Sequence, residues 1–230
     1  MLKKGLKTIR KKGINYIIKE NQINKYTPWL GDILNYFYDF FMKKIVFPKK
    51  FGGDMIKHYE ILKKEFKNIN QQEVLELATG SGNAVYFLNN DNHYVGIDVS
   101  PGLLRQAAKR FRNFGFREAE LFLASAEDIP FQDNIFDGCM CHLSFNFFSN
   151  LEKVIQELTR VSKDKAFFLG SIPIPERCQP NTTIRGKLYS EKELKIFFEK
   201  QGWRFESLPQ TNGVLFYFKA TRRAEKGDRS

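Results

Sequence analysis

The order of apolar and polar residues divides the chain into an N-terminal part with helical spacing and a longer part of alternating strands and helices. Apolar and aromatic residues recur at helical spacing from Ile33 to Ile45, and Pro48 is predicted to end that run. A second helix is predicted over about 54–66. We therefore expect residues 1–70 to form an N-terminal helical cap, or lid, over the rest of the chain.

The stretch 71–221 predicts one α/β domain. Short apolar runs between turn residues indicate strands, and longer periodic runs indicate helices. The predicted strands are 74–78, 94–100, 121–125, 136–143, 165–172, 205–208 and 214–220, and the predicted helices are 83–88, 101–114, 151–161 and 190–200, the last with a Ser190-x-x-Glu193 capping box. This alternation predicts a Rossmann-like doubly wound sheet, mostly parallel with a C-terminal antiparallel strand. Residues 222–230 are expected to be a flexible tail.

Charge is concentrated at the N-terminus. The chain has a net charge of +11, and most of the excess lies in residues 1–50, which hold twelve Lys/Arg against three acids. Such a segment suits contact with an anionic membrane, nucleic acid or an acidic substrate, and equally suits a solvated basic helix. Composition alone leaves these interpretations open.

Apolar run lengths and the cysteine pattern constrain the compartment and the metal content. No apolar run reaches the roughly 20 residues of a transmembrane helix, and no apolar region of a secretory signal lies behind the basic start. Three cysteines cannot pair completely, which favours a reducing, cytoplasmic setting. Cys139-x-Cys141-His142 lacks zinc-site spacing and a second ligand pair, so we expect core packing and no metal.

The loop after the first strand of the domain carries the candidate chemistry. Thr79-Gly80-Ser81-Gly82 brings backbone N–H groups toward a ligand, and Asp98, at the end of the next strand, can accept both hydroxyls of a ribose. A dinucleotide-binding loop would have a third glycine where this chain has Val85, and no triphosphate-binding loop is present. These features, with Glu76 just before the loop, indicate a cofactor that has a ribose but no phosphate. They favour S-adenosylmethionine as the cofactor and disfavour an NAD-dependent oxidoreductase.

Several motifs in order resemble one family. VLELATGSGNAVYFL, YVGIDVS, AEDIPF, the Phe136-Asp137 pair and LEKVIQELTRVSKDKAFFLG are similar to successive motifs of the class I S-adenosylmethionine-dependent methyltransferases. The resemblance covers roughly 71–221 and is strongest to the type 11 and quinone C-methyltransferase-like branch. Ala78 stands where the family often has its first glycine.

The resemblance implies a set of cofactor-binding residues. Glu76 would hold or orient the amino group of the cofactor, and Asp98 would bind its ribose. Glu127 or Asp128 would contact the adenine amino group. The full implied set is Glu76, Ala78, Thr79, Gly80, Ser81, Gly82, Asp98, Val99, Leu103, Ala126, Glu127, Asp128, Ile129, Cys141, His142 and Leu143.

Catalysis needs few protein groups in this chemistry. The methyl group of a sulfonium is already electrophilic, so positioning and exclusion of water matter most. His142 is the candidate general base, with a role as pocket wall as the alternative, and His58, Tyr59 and Glu60 are further candidates. Candidate substrate contacts are Tyr36, Tyr59, Asn146, Arg177 and Arg185.

The acceptor is constrained by two features. Cys141-His142-Leu143-Ser144 lacks the Asn/Asp-Pro-Pro-aromatic pattern of base-amine methylation, which disfavours nucleic acid without excluding it. Aromatic residues crowd the N-terminal segment with lysines at 43, 44, 49 and 50, so we expect a small, apolar or lipid-like acceptor and peripheral contact of residues 1–50 with anionic membrane. The alternatives are an RNA- or protein-directed methyltransferase and a non-catalytic S-adenosylmethionine-binding partner subunit.

Overall fold

Over the residues that the structure describes, the chain forms one sheet of ten strands with helices on both faces. The computed structural model describes residues 1–20, 22–24, 26, 37–180 and 183–224. Its strands are β1 (Lys7–Lys11), β2 (Ile14–Lys19), β3 (Gln22–Ile23), β4 (Glu73–Leu77), β5 (His93–Asp98), β6 (Glu120–Leu123), β7 (Phe136–His142), β8 (Ser162–Pro173), β9 (Trp203–Ser207) and β10 (Leu215–Arg222). Its α-helices are α1 (Tyr38–Phe41), α2 (Met55–Phe66), α3 (Pro101–Asn113), α4 (Leu151–Val161) and α5 (Glu191–Lys200).

The predicted doubly wound sheet is confirmed. Strands β6, β5, β4, β7 and β8 lie side by side and run parallel, and β10 pairs antiparallel with β8 and β9. From β4 the chain winds outward through β5 and β6, then returns to the other side of β4 as β7. The loops after β4 and β7 therefore diverge, and such a switch in strand order opens a crevice for a ligand.

The expectation of helices throughout residues 1–70 is wrong for the first part of that segment. β1 and β2 form a hairpin, and β2 extends the main sheet by pairing in parallel with β6. Lys12 and Gly13 connect the two strands with φ of 52° and 82°, the positive values that a tight hairpin turn requires. The β-branched residues Ile14 and Ile17 of β2 are buried, which contributes about 1.5–3 kcal/mol each.

The helical run before α2 also differs from the prediction. α1 continues as a π-helix, Met42–Phe51, which passes through Pro48 and ends at Gly52 with a left-handed φ of 61°. Proline lacks the N–H group that an α-helical ladder needs, and the turns around it here are π-helical. α2 begins as predicted, with Asp54 Oδ1 accepting from the Lys57 N–H at 2.8 Å.

One predicted helix is only a single turn. The stretch 83–88 forms a 3₁₀ turn, Asn83–Tyr86, because Phe87 leaves the helical region with φ −139°. Ala84, Val85, Phe87 and Leu88 are all buried at a spacing that one face of a helix would also show, so the apolar pattern did not reveal the early end.

Two apolar clusters pack against the two faces of the sheet. Alternate residues of each strand face opposite sides: Leu75 and Leu77 join the cluster beneath α4 and α5, whereas Val74 joins the cluster with α2 and α3. Ser190 and Glu193 form the predicted capping box at α5. The clusters hold the carboxyl ends of β4 to β7 at one rigid edge.

Parts of the predicted cap and tail lie outside the described residues. These are Ile33 and Leu34 of the first predicted helix, Trp29 and Tyr36 of the aromatic segment, and residues 225–230 of the tail. Arg222, which we placed in the tail, belongs to β10 and is 9% exposed. In the described ranges, no helix combines the length and apolarity needed to cross a bilayer.

Candidate functional site

Two adjoining cavities lie at the carboxyl ends of the central strands. The larger cavity has a volume of about 470 Å³ and is lined by eight of the predicted cofactor residues, Ala78, Gly80, Asp98, Val99, Leu103, Ala126, Glu127 and Leu143. The smaller cavity has a volume of about 60 Å³ and is lined by four more, Glu76, Thr79, Ser81 and His142. Tyr38, Ala78, Gly80, Leu143 and Ser144 line both cavities, so the two are contiguous.

Asp98 joins the loops after β4 and β5. Its Oδ2 accepts the Gly80 N–H at 2.8 Å, and its Oδ1 accepts the Ser100 N–H at 2.8 Å. Each carboxylate oxygen can accept more than one hydrogen bond, so this orientation is compatible with further donors in the larger cavity. Asp98 is therefore placed to bind hydroxyl groups there.

Glu76 is a buried carboxylate beside the smaller cavity. Its Oε2 accepts a hydrogen bond from Tyr94 Oη, whose hydroxyl also contacts Thr79 Oγ1 at 2.9 Å. Burial raises the pKa of Glu76 to about 8; the negative charge of Asp98 adds to this and the hydrogen bond from Tyr94 opposes it. A cationic ligand group in the cavity would favour the ionised carboxylate.

The two glycines of the loop have different roles. Gly80 has φ +58° and lines both cavities, and a Cβ there would meet nothing nearer than Ala78 O at 3.9 Å. Gly82 has φ +82°, and a Cβ there would lie 2.9 Å from the Cα and Cβ of Ala107 on α3. Gly82 lines neither cavity, so it serves the close approach of loop and helix.

The structure distinguishes the two predicted adenine contacts. Glu127 lines the larger cavity, and its Oε1 accepts the Asn150 N–H at 2.9 Å. Asp128 lines neither cavity and pairs outside them with Lys3 at 3.3 Å and Lys19 at 2.7 Å. Its hydrogen bond from Lys19 lowers the pKa of Asp128. The structure supports Glu127 as the acidic residue at the cavity.

Two further predicted contacts point into the core. Ile129 and Cys141 are buried in the cluster beneath α4 and α5, and neither lines a cavity. Neighbouring residues on a strand face opposite sides, so Cys141 points away from the side on which His142 reaches the smaller cavity. Because their side chains lie on opposite faces of the sheet, Cys141 and His142 cannot both bind one metal ion.

His142 lies in a set of aromatic rings. Its Nδ1 contacts Ser171 Oγ at 3.0 Å, whereas its Nε2 is buried without a hydrogen-bond partner among the described residues. Burial, helped by nearby His58, lowers the pKa of His142 well below 6.5, so the ring is neutral. A neutral ring can accept or donate at Nε2 according to its tautomer.

The N-terminal segment supplies aromatic walls to both cavities. Tyr26 lines the larger cavity and accepts the Ser125 N–H through its hydroxyl at 3.0 Å. Tyr38 lies between the two cavities, and Phe47 lines the smaller one. These side chains reduce the exposure of the site to solvent.

Asp39 connects this segment to the glycine loop. Its Oδ1 accepts the Ser81 hydroxyl at 2.7 Å, and its Oδ2 pairs with the guanidinium of Arg110 on α3. Arg110 also donates to Ser81 Oγ at 3.2 Å and to Asn83 Oδ1. The network fixes α1 above the loop that borders both cavities.

Of the predicted substrate contacts that the structure describes, only Tyr59 lies at a cavity. Asn146 is buried and donates to Arg185 O at 2.6 Å, which anchors the loop after β8. Arg177 donates to Leu215 O and lies 5.5 Å from the Phe216 ring. Asn146, Arg177 and Arg185 line neither cavity, and Tyr36 lies outside the described residues.

Several lining residues were missed from the sequence. They include Ser125, Ser144, Phe147 and Phe148 at the larger cavity and Met42, Met55 and Phe87 at the smaller one. Their positions, at the end of one predicted strand and directly after the end of another, could have indicated Ser125 and Ser144. The methionines gave no such indication, because they reach the site from the N-terminal segment.

The cavities suit the expected cofactor. Asp98 would hold its ribose hydroxyls, and Val99 and Leu103 would lie against adenine. Glu76, whose buried carboxylate has a raised pKa, would meet the ammonium of the methionine part. The open space beside Gly80 would admit the part of the cofactor that joins its ribose to its ammonium group.

Comparison with known proteins gives the same result. Residues 75–169 match the family described as a methyltransferase domain. A demethylmenaquinone methyltransferase of Thermotoga maritima is 33% identical over 126 residues, 53% of this chain and 51% of that protein. The ubiquinone/menaquinone biosynthesis C-methyltransferase UbiE of Blochmanniella pennsylvanica is 28% identical over 121 residues, 50% of this chain and 46% of that protein. The chain thus spans about half the length of these curated relatives.

Solved structures agree on the fold. A SAM-dependent methyltransferase from Aquifex aeolicus has a TM-score of 0.61 with 22% sequence identity, and the match covers 78% of this chain and 94% of that one. Residues 75–169 therefore match a methyltransferase domain, and the chain is similar in sequence to quinone methyltransferases and in fold to a SAM-dependent methyltransferase.

Proposed function

We propose that the protein transfers a methyl group from S-adenosylmethionine to a small, largely apolar acceptor that carries an aromatic ring. One observation carries the proposal: the smaller cavity, which several cofactor residues line, also has apolar walls, formed by Met42, Phe47, Met55 and Phe87. The names of the relatives, which include quinone methyltransferases, support an acceptor of this kind.

The protein's part in the reaction is positioning. The bound cofactor supplies the electrophilic methyl group. Tyr38 and Leu143, which line both cavities, would separate the cofactor from the acceptor except at their contact. Apolar walls exclude water, and alignment of the reacting atoms can supply much of the rate. His142, neutral and at the wall, is available to take a proton.

Methyl transfer to a reduced quinone tests this function. With tritiated S-adenosylmethionine and demethylmenaquinol, we expect label in the organic phase, and Asp98→Ala should abolish it. A matched reaction with total RNA or denatured protein as acceptor should remain at background. Label in either macromolecule, or none in the quinol, would overturn the proposed acceptor.

We also propose that the N-terminal segment contacts an anionic membrane. Phe37 and Phe40 are 62% and 58% exposed, and Phe41 adjoins Phe40. The lysines at 43, 44, 49 and 50 are close by in sequence. Exposed aromatic rings flanked by lysines match the interface of an anionic bilayer.

Vesicle sedimentation tests this contact. We expect binding to phosphatidylglycerol vesicles that weakens with salt, little binding to phosphatidylcholine, and a loss of binding on Phe37→Ser with Phe40→Ser. The control change Ile196→Ser removes an apolar residue exposed to a similar degree, 51%, on α5. Equal sedimentation with both lipids, or an equal loss in the control, would overturn it.

A further inference from the structure

The smaller cavity contains two polar atoms that the described part of the chain leaves without partners. Tyr59 Oη and His142 Nε2 are both buried and form no hydrogen bond there, although both residues line this cavity. A buried donor or acceptor without a partner is costly, and native proteins rarely retain one unless a ligand or water uses it. Two such atoms at one cavity point to a ligand with a polar group there.

Their rings surround one small space. The His142 ring lies 5.5 Å from the ring of Phe87 and 6.0 Å from that of His58. The Tyr59 ring lies 6.3 Å from Phe87 and 5.8 Å from His58. Tyr59 and His142 thus lie beside the same pair of rings.

His58 does not compete for the ligand's polar group through its Nδ1. That atom is paired with Tyr217 Oη at 2.9 Å. Burial lowers the pKa of His58 to about 3, so this ring carries no positive charge beside the cavity near neutral pH. Other walls include the aromatic and thioether groups of Phe47, Met42 and Met55, together with polar residues of the cofactor loop.

Size and surroundings define the ligand. A volume of about 60 Å³ is several times the roughly 10–15 Å³ that one water needs by the same kind of measure, and the cavity continues into the larger one along the residues that line both. A neutral hydroxyl both donates and accepts, which suits a neutral imidazole nitrogen together with a phenol group. An ionic ligand would find no opposite charge at this pair.

We propose that Tyr59 Oη and His142 Nε2 bind the hydroxyl of an aromatic ring, such as a phenol or hydroquinone, in the smaller cavity. This rests on the proposed function and specifies its acceptor: a hydroxylated ring held by two side chains of this chain. Tyr59 would donate to the ring oxygen, and His142 would accept its proton in a hydrogen bond. The two side chains orient the acceptor, and the acceptor's hydroxyl supplies the hydrogen-bond partner that each of them lacks.

The test uses a matched pair of small probes, 4-fluorophenol and 4-fluoroanisole. Their binding is measured by ¹⁹F NMR to protein saturated with S-adenosylhomocysteine, whose own affinity is first measured by calorimetry. We expect the phenol to bind at least about tenfold tighter than the ether. Tyr59→Phe and His142→Phe should each reduce that preference to about threefold or less, and Tyr59→Phe should do so with nucleoside affinity unchanged.

Stability gives a second readout. Because Tyr59 Oη lacks a partner among the described residues, Tyr59→Phe should not lower the melting temperature. Tyr86→Phe is the matched control: its ring lies 5.1 Å from that of Tyr59, but it is 41% exposed and lines neither cavity. It should keep the full preference for the phenol.

The outcomes separate the two proposals. Absence of nucleoside binding would refute the proposed function. Nucleoside binding with equal affinity for the two probes would overturn only the hydroxyl site, as would a preference that survives both substitutions. A lower melting temperature in Tyr59→Phe would show that the hydroxyl is already bonded in the protein, and would also overturn it.

Discussion

Replacing Asp98 with asparagine removes charge from the carboxylate at the larger cavity while keeping its shape. In the wild-type protein both carboxylate oxygens accept backbone N–H groups, from Gly80 and Ser100. Asparagine has one acceptor oxygen, so one of these donors loses its partner, at about 1 kcal/mol of folding free energy. A hydrogen bond from a ribose hydroxyl to a charged group contributes about 1.5–3 kcal/mol. We therefore expect Asp98→Asn to weaken S-adenosylmethionine binding by roughly 10- to 150-fold.

Isothermal calorimetry measures this effect against a matched control. Asp128→Asn makes the same chemical change at a carboxylate that lines neither cavity and pairs with Lys3 and Lys19. It should leave cofactor affinity unchanged. Thermal unfolding of both variants without cofactor would show that each is folded at the temperature of the titration.

Two results would refute the reasoning. Affinity in Asp98→Asn within about threefold of wild type, less than 1 kcal/mol, would mean that the carboxylate does not hold the ribose. An equal loss in Asp128→Asn would attribute the effect to overall charge. Either outcome would remove Asp98 from the proposed cofactor site.

Three other perturbations test the same geometry. The raised pKa of Glu76 means that the folded protein holds this proton more tightly than the unfolded chain, so stability without cofactor should fall as pH rises from about 4.5 to about 8. Glu76→Gln should flatten this slope in pH-dependent thermal unfolding. An unchanged slope would exclude Glu76 as its source. Gly82→Ala should lower stability by about 1–3 kcal/mol because its Cβ would collide with Ala107, whereas Gly80→Ala should reduce cofactor affinity more than stability. Denaturant unfolding measures the stability and calorimetry measures the affinity. A larger loss of stability in Gly80→Ala and a larger loss of affinity in Gly82→Ala would show that the two roles are misassigned. Asp39→Asn should loosen α1 and increase proteolysis between residues 37 and 52 in limited digestion, and cleavage at the wild-type rate would show that the network with Ser81 does not hold the segment.

The strand-helix alternation and the cofactor loop could be predicted because their information is local. Thr79-Gly80-Ser81-Gly82 comes directly after an apolar run, and Asp98 ends the next one, so parallel pairing brings both to one edge. The capping box at Ser190 is likewise complete within four residues. Patterns of this length do not depend on distant parts of the chain.

The N-terminal strands could not be predicted with the same reasoning. β2 is buried on both faces because it pairs with β6, about a hundred residues later, and it therefore has apolar residues on both sides. The spacing of these apolar residues in the sequence resembles that of a helix. The Lys12-Gly13 turn was the available local indication. The positions of Tyr26 and Asp39 against Ser125 and Ser81 depend on the same long-range packing.

The pairing of β2 with β6 also determines how much of the chain is needed for a protein that does not aggregate. β2 meets β6 through Asn15 and Tyr16, and Asn15 donates to Leu121 O at 3.3 Å. A shortened chain of residues 71–221 would retain the described cofactor residues but leave β6 as an outer strand with unpaired backbone groups beside apolar side chains. Outer strands of that kind pair with other molecules and aggregate. The hairpin thus shields the domain against self-association, so low solubility of the shortened chain would say nothing about the cofactor site.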